Sequence, residues 1–371
     1  MNKELTLELA EYVAKLLLYT NCDGEKTEKP AVISWEEVYD FSKMHSLASA
    51  VFSSVEDTVK AQCSPELVEK WELTRATDYA QHIKQSAEFS RITEALTEEK
   101  INFLPLKGFS YKSLWKDPAH RTMSDMDMYF HPDDFPRVDA LLKSLGYAQD
   151  HECDVHVNYE KKPFVKIEAH RKFVENGPAI PFDTWEAKPD NPYFHVMNHE
   201  QLLTFGTEHA MKHYEHGGCG MRLVFDLYLY MKSFGHEIDR ASLDKTLEEN
   251  GLIDFFRLLC RLSDYWFGGF PADAETRKAA YYVATGGTYG SHDNSVSYGI
   301  EKKGKLGYVF ARVFPPYRFM RLRYPILRKI PILLPFAYIL RFFTSVFNGR
   351  SRLELRGMKK HKENERKENI K

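Results

Sequence analysis

The residues best suited to chemistry lie close together, in Leu104-Pro-Leu-Lys107-Gly108-Phe-Ser110 and the following Arg121-Thr-Met-Ser124-Asp125-Met-Asp127-Met-Tyr-Phe130. Alternation puts Asp125 and Asp127 on one strand face, with Met126 and Met128 on the other. Two carboxylates at neighbouring same-face positions repel each other unless a positive charge sits between them. Oxygen ligands of this kind suit Mg²⁺, or Mn²⁺ in its place, with substrate phosphates completing the shell. Upstream, Ile101 to Leu106 is a short apolar run that reads as a buried strand, and it stops at Lys107-Gly108. Glycine permits a close backbone approach that a side chain would forbid. Phe109 to Trp115 reads as a helix, and backbone N–H groups where a strand hands over to a helix favour anions. A phosphate loop beside a metal-binding carboxylate pair is an arrangement for phosphoryl or nucleotidyl transfer.

The order Leu106-Lys107-Gly108, then Arg121-x-x-x-Asp125-x-Asp127, then Leu145-Gly146-Tyr147 resembles the nucleotidyltransferase superfamily of the DNA polymerase β type. More narrowly, it looks like a bacterial group of uncharacterised nucleotidyltransferases. The resemblance spans roughly residues 85 to 235. It implies a third carboxylate, Glu168 in Val165-Lys-Ile-Glu168-Ala-His170. Asp125 and Asp127 would hold a metal carrying the nucleotide phosphates, and all three carboxylates a second one; Glu168 could instead act as general base. Gly108 and Ser110 would cradle phosphate. Lys107 would pair with phosphate or cover the sheet edge, and Arg121 would meet the triphosphate or pair with Asp125. His170 would orient the acceptor, relay a proton or serve the structure. The implied activity is transfer of an NMP from an NTP to a small-molecule, sugar or protein acceptor, releasing pyrophosphate. The alternative is a non-catalytic module that keeps the fold, because Phe109 stands where the superfamily places a small residue.

Several elements must position these groups. The expected fold is α+β, a small mixed β-sheet nucleotidyltransferase core flanked by N-terminal and C-terminal helical regions. The expected regions are 1–100 (helical), 101–172 (the α/β core), 173–300 (helical) and 301–371 (a basic, apolar and aromatic tail). Ser34-Trp-Glu-Glu37 is a capping box, and Ser64-Pro65 opens a helix that no Gly or Pro interrupts before Lys100. Strands are expected near 101–106, 125–130, 147–150, 153–159 and 164–169, the last two forming a hairpin turned at Lys161-Lys162-Pro163. Residues 173–198, rich in Pro and Asn, read as a surface connection. Arg222 and Asp226 are spaced for an intrahelical ion pair.

Charge is unevenly shared. Residues 301–371 carry 19 Lys/Arg against 5 Asp/Glu, leaving 32 against 48 in residues 1–300. An acidic body disfavours nucleic acid as the acceptor, and a basic tail invites an anionic partner. The five cysteines are scattered with no Cys-x-x-Cys, which argues against a zinc ribbon and fits a reducing cytoplasm. Residues 310–350 interleave Arg318, Arg321, Arg323, Arg328, Lys329 and Arg341 with aromatic and aliphatic residues. Such a pattern suits peripheral contact with the inner membrane face or packing against the acidic body. Repulsion between the two carboxylates predicts that Asp127→Asn leaves folding intact or slightly improved.

Overall fold

The α+β expectation is met in the computed structural model, which describes residues 2–173, 182–347 and 357–358. The chain divides into two compact units, Met1–Ala210 with Met221–Tyr281, and Met211–Gly220 with Tyr282–Lys371.

The first unit opens with α1 (Lys3–Cys22), α2 (Trp35–Met44), α3 (Ala48–Gln62) and the long α4 (Pro65–Glu98). The capping box at α2 is formed, and Ser64 caps α4 with Pro at its first position. Next come β1 (Leu104–Pro105), the short α5 (Gly108–Lys112), β2 (Met126–Tyr129), α6 (Phe135–Ser144), β3 (Ala148–Glu152), β4 (His156–Lys161) and β5 (Val165–His170). The sheet order is β1-β2-β5-β4-β3. β2 pairs parallel with β5, bringing Asp127 level with Glu168, and β4 pairs antiparallel with β5, bringing His156 level with His170.

One face of this sheet is apolar. Met126, Met128, Val157, Tyr159, Ile167 and Ala169 pack there, with Ile92 and Leu96 of α4 and Val138 and Leu142 of α6 in the same core. Lys161 donates to both Glu88 oxygens at 2.8 Å and Tyr147 donates to Glu88 at 2.9 Å, which ties the hairpin to α4. A buried carboxylate is tolerated because it is paired and hydrogen-bonded.

The segment read as a surface connection contains β6 (Glu186–Lys188) and β7 (Asn191–Val196), an antiparallel hairpin. Phe103 N–H donates to Tyr193 O and His195 N–H to Phe103 O, both at 2.9 Å. The partner of β7 lies some ninety residues upstream, so local Pro and Asn content concealed a strand that tertiary hydrogen bonds stabilise. Part of the expected connection, 174–181, lies outside the described residues.

The first unit continues with α7 (His199–Glu215), whose last turn belongs to the second unit, then α8 (Met221–Phe234), α9 (Arg240–Glu249), α10 (Ile253–Phe267) and α11 (Ala274–Gly286), whose residues from Tyr282 on belong to the second unit. The second unit contains α12 (His292–Val313), α13 (Tyr317–Arg323), α14 (Ile326–Lys329) and α15 (Leu334–Phe347).

Candidate active site

The polar face of the central strands carries the acidic groups. Alternation directs Asp127, Glu168, His170 and His156 to the side opposite the methionine core. Asp125 lies just before β2, in phase with Asp127. Lys107 Nζ donates to Asp127 Oδ1 at 3.0 Å, and His170 Nε2 donates to the same oxygen at 3.0 Å. His170 Nε2 also lies 3.5 Å from Glu168 Oε2.

These contacts separate the two aspartates. Burial alone would raise the pKa of Asp127, but Lys107 and His170 outweigh it and hold the group well below the usual carboxylate range. Asp125 is pushed up to about 6, first by burial and then by Asp127 and Glu168, with Lys107 and Ser124 offsetting only part. Burial would lower His170, yet Asp127 and Glu168 raise it. Asp127 is thus a satisfied anion, whereas Asp125 carries the excess negative charge of the cluster.

Lys107 holds φ 42° and ψ −89°, outside the regions that L-residues populate freely. Strain of this kind persists where the surroundings enforce it, and here the Asp127 contact anchors the far end of the side chain. The helix after it spans only Gly108–Lys112, shorter than the run to Trp115 suggested. Phe109 stacks on Phe89 of α4 with ring centroids 3.8 Å apart, so it fastens the loop to the scaffold. Ser110 lies half-buried on α5.

Gly108 has a packing role that is visible only in three dimensions. A Cβ there would meet Met123 Sδ at 2.2 Å. Gly108→Ala should therefore destabilise the protein by about 1–3 kcal/mol through overpacking. Thermal denaturation checks this, and Gly108→Ala/Met123→Ala should melt above the single variant. A double variant that melts no higher would place the strain elsewhere.

Arg121 is buried and committed. Its Nε and Nη2 donate to Asp226 Oδ1 and Oδ2 at 2.9 and 2.8 Å, and Nη1 donates to Gly108 O at 3.2 Å. Trp115 Nε1 also donates to Asp226 Oδ1, at 2.8 Å. The ion-pair partner of Asp226 is thus Arg121, a hundred residues away, in place of the expected helical neighbour Arg222. Arg222 donates to Thr122 O and Oγ1. Both arginines brace the loop that leads to Asp125.

Other contributors escaped the sequence reading. Gln81 and Gln85 of α4 donate to Met123 O at 2.6 and 3.0 Å, so the long helix holds the loop in place. His156 is the second. Among the described residues, the set whose ligand atoms converge within 4.8 Å of one another is His156, Glu168 and His170. His170 Nδ1 is buried with no hydrogen-bond partner. Asp125, Asp127 and Glu168 share the face without converging to that degree. Folding the hairpin about Pro163 would have placed His156 opposite His170, so the signal for His156 was present.

Residues 31–268 match the protein family described as uncharacterised nucleotidyltransferase. Two solved structures are similar in part. The solution structure of the antibiotic-resistance factor ANT(2'')-Ia shares 14% identity over 45% of this chain and 93% of that one, with a TM-score of 0.37. The crystal structure of ANT(2'')-Ia in complex with adenylyl-2''-tobramycin shares 14% identity over 47% and 97%, with a TM-score of 0.35. No curated protein matches the chain. With the family match running from α2 to the end of α10 and enclosing the whole acidic face, this chain belongs to the uncharacterised nucleotidyltransferase family.

Proposed function

We propose that the protein transfers a nucleoside monophosphate from an NTP to a small-molecule, sugar or protein acceptor. The carrying observation is the register of β2 with β5, which sets Asp127 beside Glu168 on one polar face with Asp125 in phase. A divalent cation fits these residues, because Asp125 is half-buried beside two other carboxylates, Asp127 and Glu168, and His170 Nδ1 is an orphaned buried donor–acceptor atom. Asp125, Asp127 and Glu168 would hold it, with His156 and His170 alongside. Bound there, a divalent ion supplies charge neutralisation for the phosphates and activation of the acceptor oxygen.

In the transfer itself, the acceptor oxygen bonds to the α-phosphorus, the bond from that phosphorus to its bridging oxygen breaks, and pyrophosphate leaves. Glu168, more exposed than Asp127, either completes the shell of the cation or takes the acceptor's proton, and His170 Nε2 lies 3.5 Å from its carboxylate. Lys107, bonded to Asp127 in this structure, is positioned to exchange that partner for a phosphate. Mg²⁺ takes oxygen ligands, whereas imidazole favours transition ions. The histidine pair therefore favours Mn²⁺ of the two.

A specific observation favours a second reading, a non-catalytic binding module. Lys107 and Arg121, the cations expected to meet phosphate, are both bonded to carboxylates, and Met123 fills the space against Gly108. Calorimetric titration of ATP, GTP, CTP and UTP with either metal separates the two. Binding of an NTP that needs metal, and that disappears in Asp125→Asn/Asp127→Asn, supports transfer. No binding of any NTP removes that reading, and equal metal affinity in the wild type and the double variant favours the module. For metal choice, His156→Ala should shrink the ratio of Mn²⁺ to Mg²⁺ affinity. An unchanged ratio would show that His156 is no ligand.

A further inference from the structure

We infer that the α12–α15 region of the second unit docks on an anionic lipid surface, lying in the plane of the interface. Residues 306–347 contain seven Lys/Arg and no Asp/Glu. On α15, Phe336, Ile339, Leu340 and Phe343 follow the i, i+3, i+4, i+7 spacing of one helix face and are 53–69% exposed. The opposite face is the packed one, where Ala337, Leu334 and Tyr338 share a small core with Met320 and Leu327. A helix of a globular protein normally turns its apolar stripe inward. Here an apolar stripe is left outward although a core exists on the other side.

The same outward pattern recurs in the unit. Leu306 and Phe310 of α12 and Phe314 just after it, four residues apart, are exposed, as are Phe319, Ile326 and Ile332. The Phe314 ring meets Tyr338 edge-on at 5.4 Å, and Arg341 Nη1 donates to Arg312 O at 2.7 Å. α12 and α15 therefore form one packed assembly. Arg341, expected among the lipid-facing cations, instead caps the end of α12. Arg323, Arg328 and Lys329 are exposed and free to supply positive charge beside the apolar stripes.

Charge selects the occupant. A second copy would set the exposed Arg323, Arg328 and Lys329 against the same three cations of its partner. Residues 348–371 carry nine Lys/Arg and four Glu, and their described part, Gly357 and Met358, packs instead on Val296, Ile300 and Tyr308 of α12. An anionic bilayer satisfies both features, since rings and aliphatic side chains enter the headgroup boundary while cations meet lipid phosphate. No helix among the described residues is long and apolar enough to cross a membrane, which leaves lying on the surface as the mode of contact.

The test is flotation of the full chain with vesicles of phosphatidylcholine alone or mixed with phosphatidylglycerol, at low salt. The wild type should float with the anionic vesicles and partition to phosphatidylcholine about a hundredfold less, given about 1 kcal/mol for each of the exposed Arg323, Arg328 and Lys329. Phe336→Ser/Ile339→Ser/Phe343→Ser should remain at the bottom with an unchanged melting curve, since these side chains are exposed. Arg323→Ser/Arg328→Ser/Lys329→Ser should lose the anionic preference, and it tests the idea independently if the first variant fails to fold. A wild type that stays at the bottom, or an apolar variant that floats equally well, overturns the proposal. So does a wild type that elutes as a dimer, stays off vesicles and becomes monomeric in the apolar variant.

Discussion

Asp127→Asn should abolish nucleotidyl transfer and also lower the melting temperature, whereas Asp125→Asn should abolish transfer while leaving folding intact or slightly improved. The loss of activity is expected to be on the order of 10³-fold or more in either case, because in the proposed transfer each aspartate would help hold the phosphate-neutralising ion, a contribution of several kcal/mol. The difference lies in folding. Asp127 accepts from both Lys107 and His170, and asparagine leaves the half-buried ammonium and the buried imidazole without an anion. Losing a charge-assisted bond in such a place costs about 1–3 kcal/mol. Asp125 stands in the reverse condition, since its charge is opposed by Asp127 and Glu168. The repulsion argument made from spacing alone assigned the relief to Asp127, and the structure transfers it to Asp125. Melting curves of the two variants, paired with a pyrophosphate-release assay, decide the matter. An Asp127→Asn protein that melts at or above the wild type would show that Asp127 is not anchored by its cations.

The second large effect lies behind the site. Asp226→Ala should destabilise the protein by roughly 3–5 kcal/mol, because it strands a buried guanidinium. Asp226 and Arg121 are both more than nine-tenths buried. The carboxylate accepts two bonds from Arg121 and one from Trp115, so one substitution orphans donors on two residues. Against a total stability of about 5–15 kcal/mol this is a large fraction. NTP binding should weaken as well, since Arg121 also holds Gly108 O and thereby the loop before β2. Arg121→Met/Asp226→Leu removes both charges and should melt above Asp226→Ala. If the double variant restores stability but not NTP binding, Arg121 has a role beyond packing. If Asp226→Ala melts like the wild type, the pair contributes nothing and the bracing account fails.

Much of the scaffold was legible before the structure. The capping box at Ser34, the Pro65 start of α4, the hairpin carrying Glu168 and the alternation of Asp125 and Asp127 with methionines all depend on neighbours within a few residues. Local hydrogen bonds and side-chain periodicity are written into adjacent residue types, so they survive reading in one dimension. The candidate acidic residues were legible for the same reason. They sit on strands whose phase is set by the apolar residues between them.

What only the tertiary structure decided is which charge meets which. Lys107 and Asp127 are twenty residues apart, His170 reaches Asp127 across more than forty, and Arg121 finds Asp226 across more than a hundred residues. Pairings at such separations depend on sheet order and helix packing, and no local pattern encodes them. Burial then fixes their consequences, because the same carboxylate is anchored or repelled according to the cations that packing brings within 3 Å. The β6–β7 hairpin and the grip of Gln81 and Gln85 on Met123 O belong to the same class. The sequence by itself determined the elements, the acidic face and the basic, apolar tail. Folding determined that Asp127 is held, that Asp125 is charge-strained, and that the apolar stripe of α15 points outward.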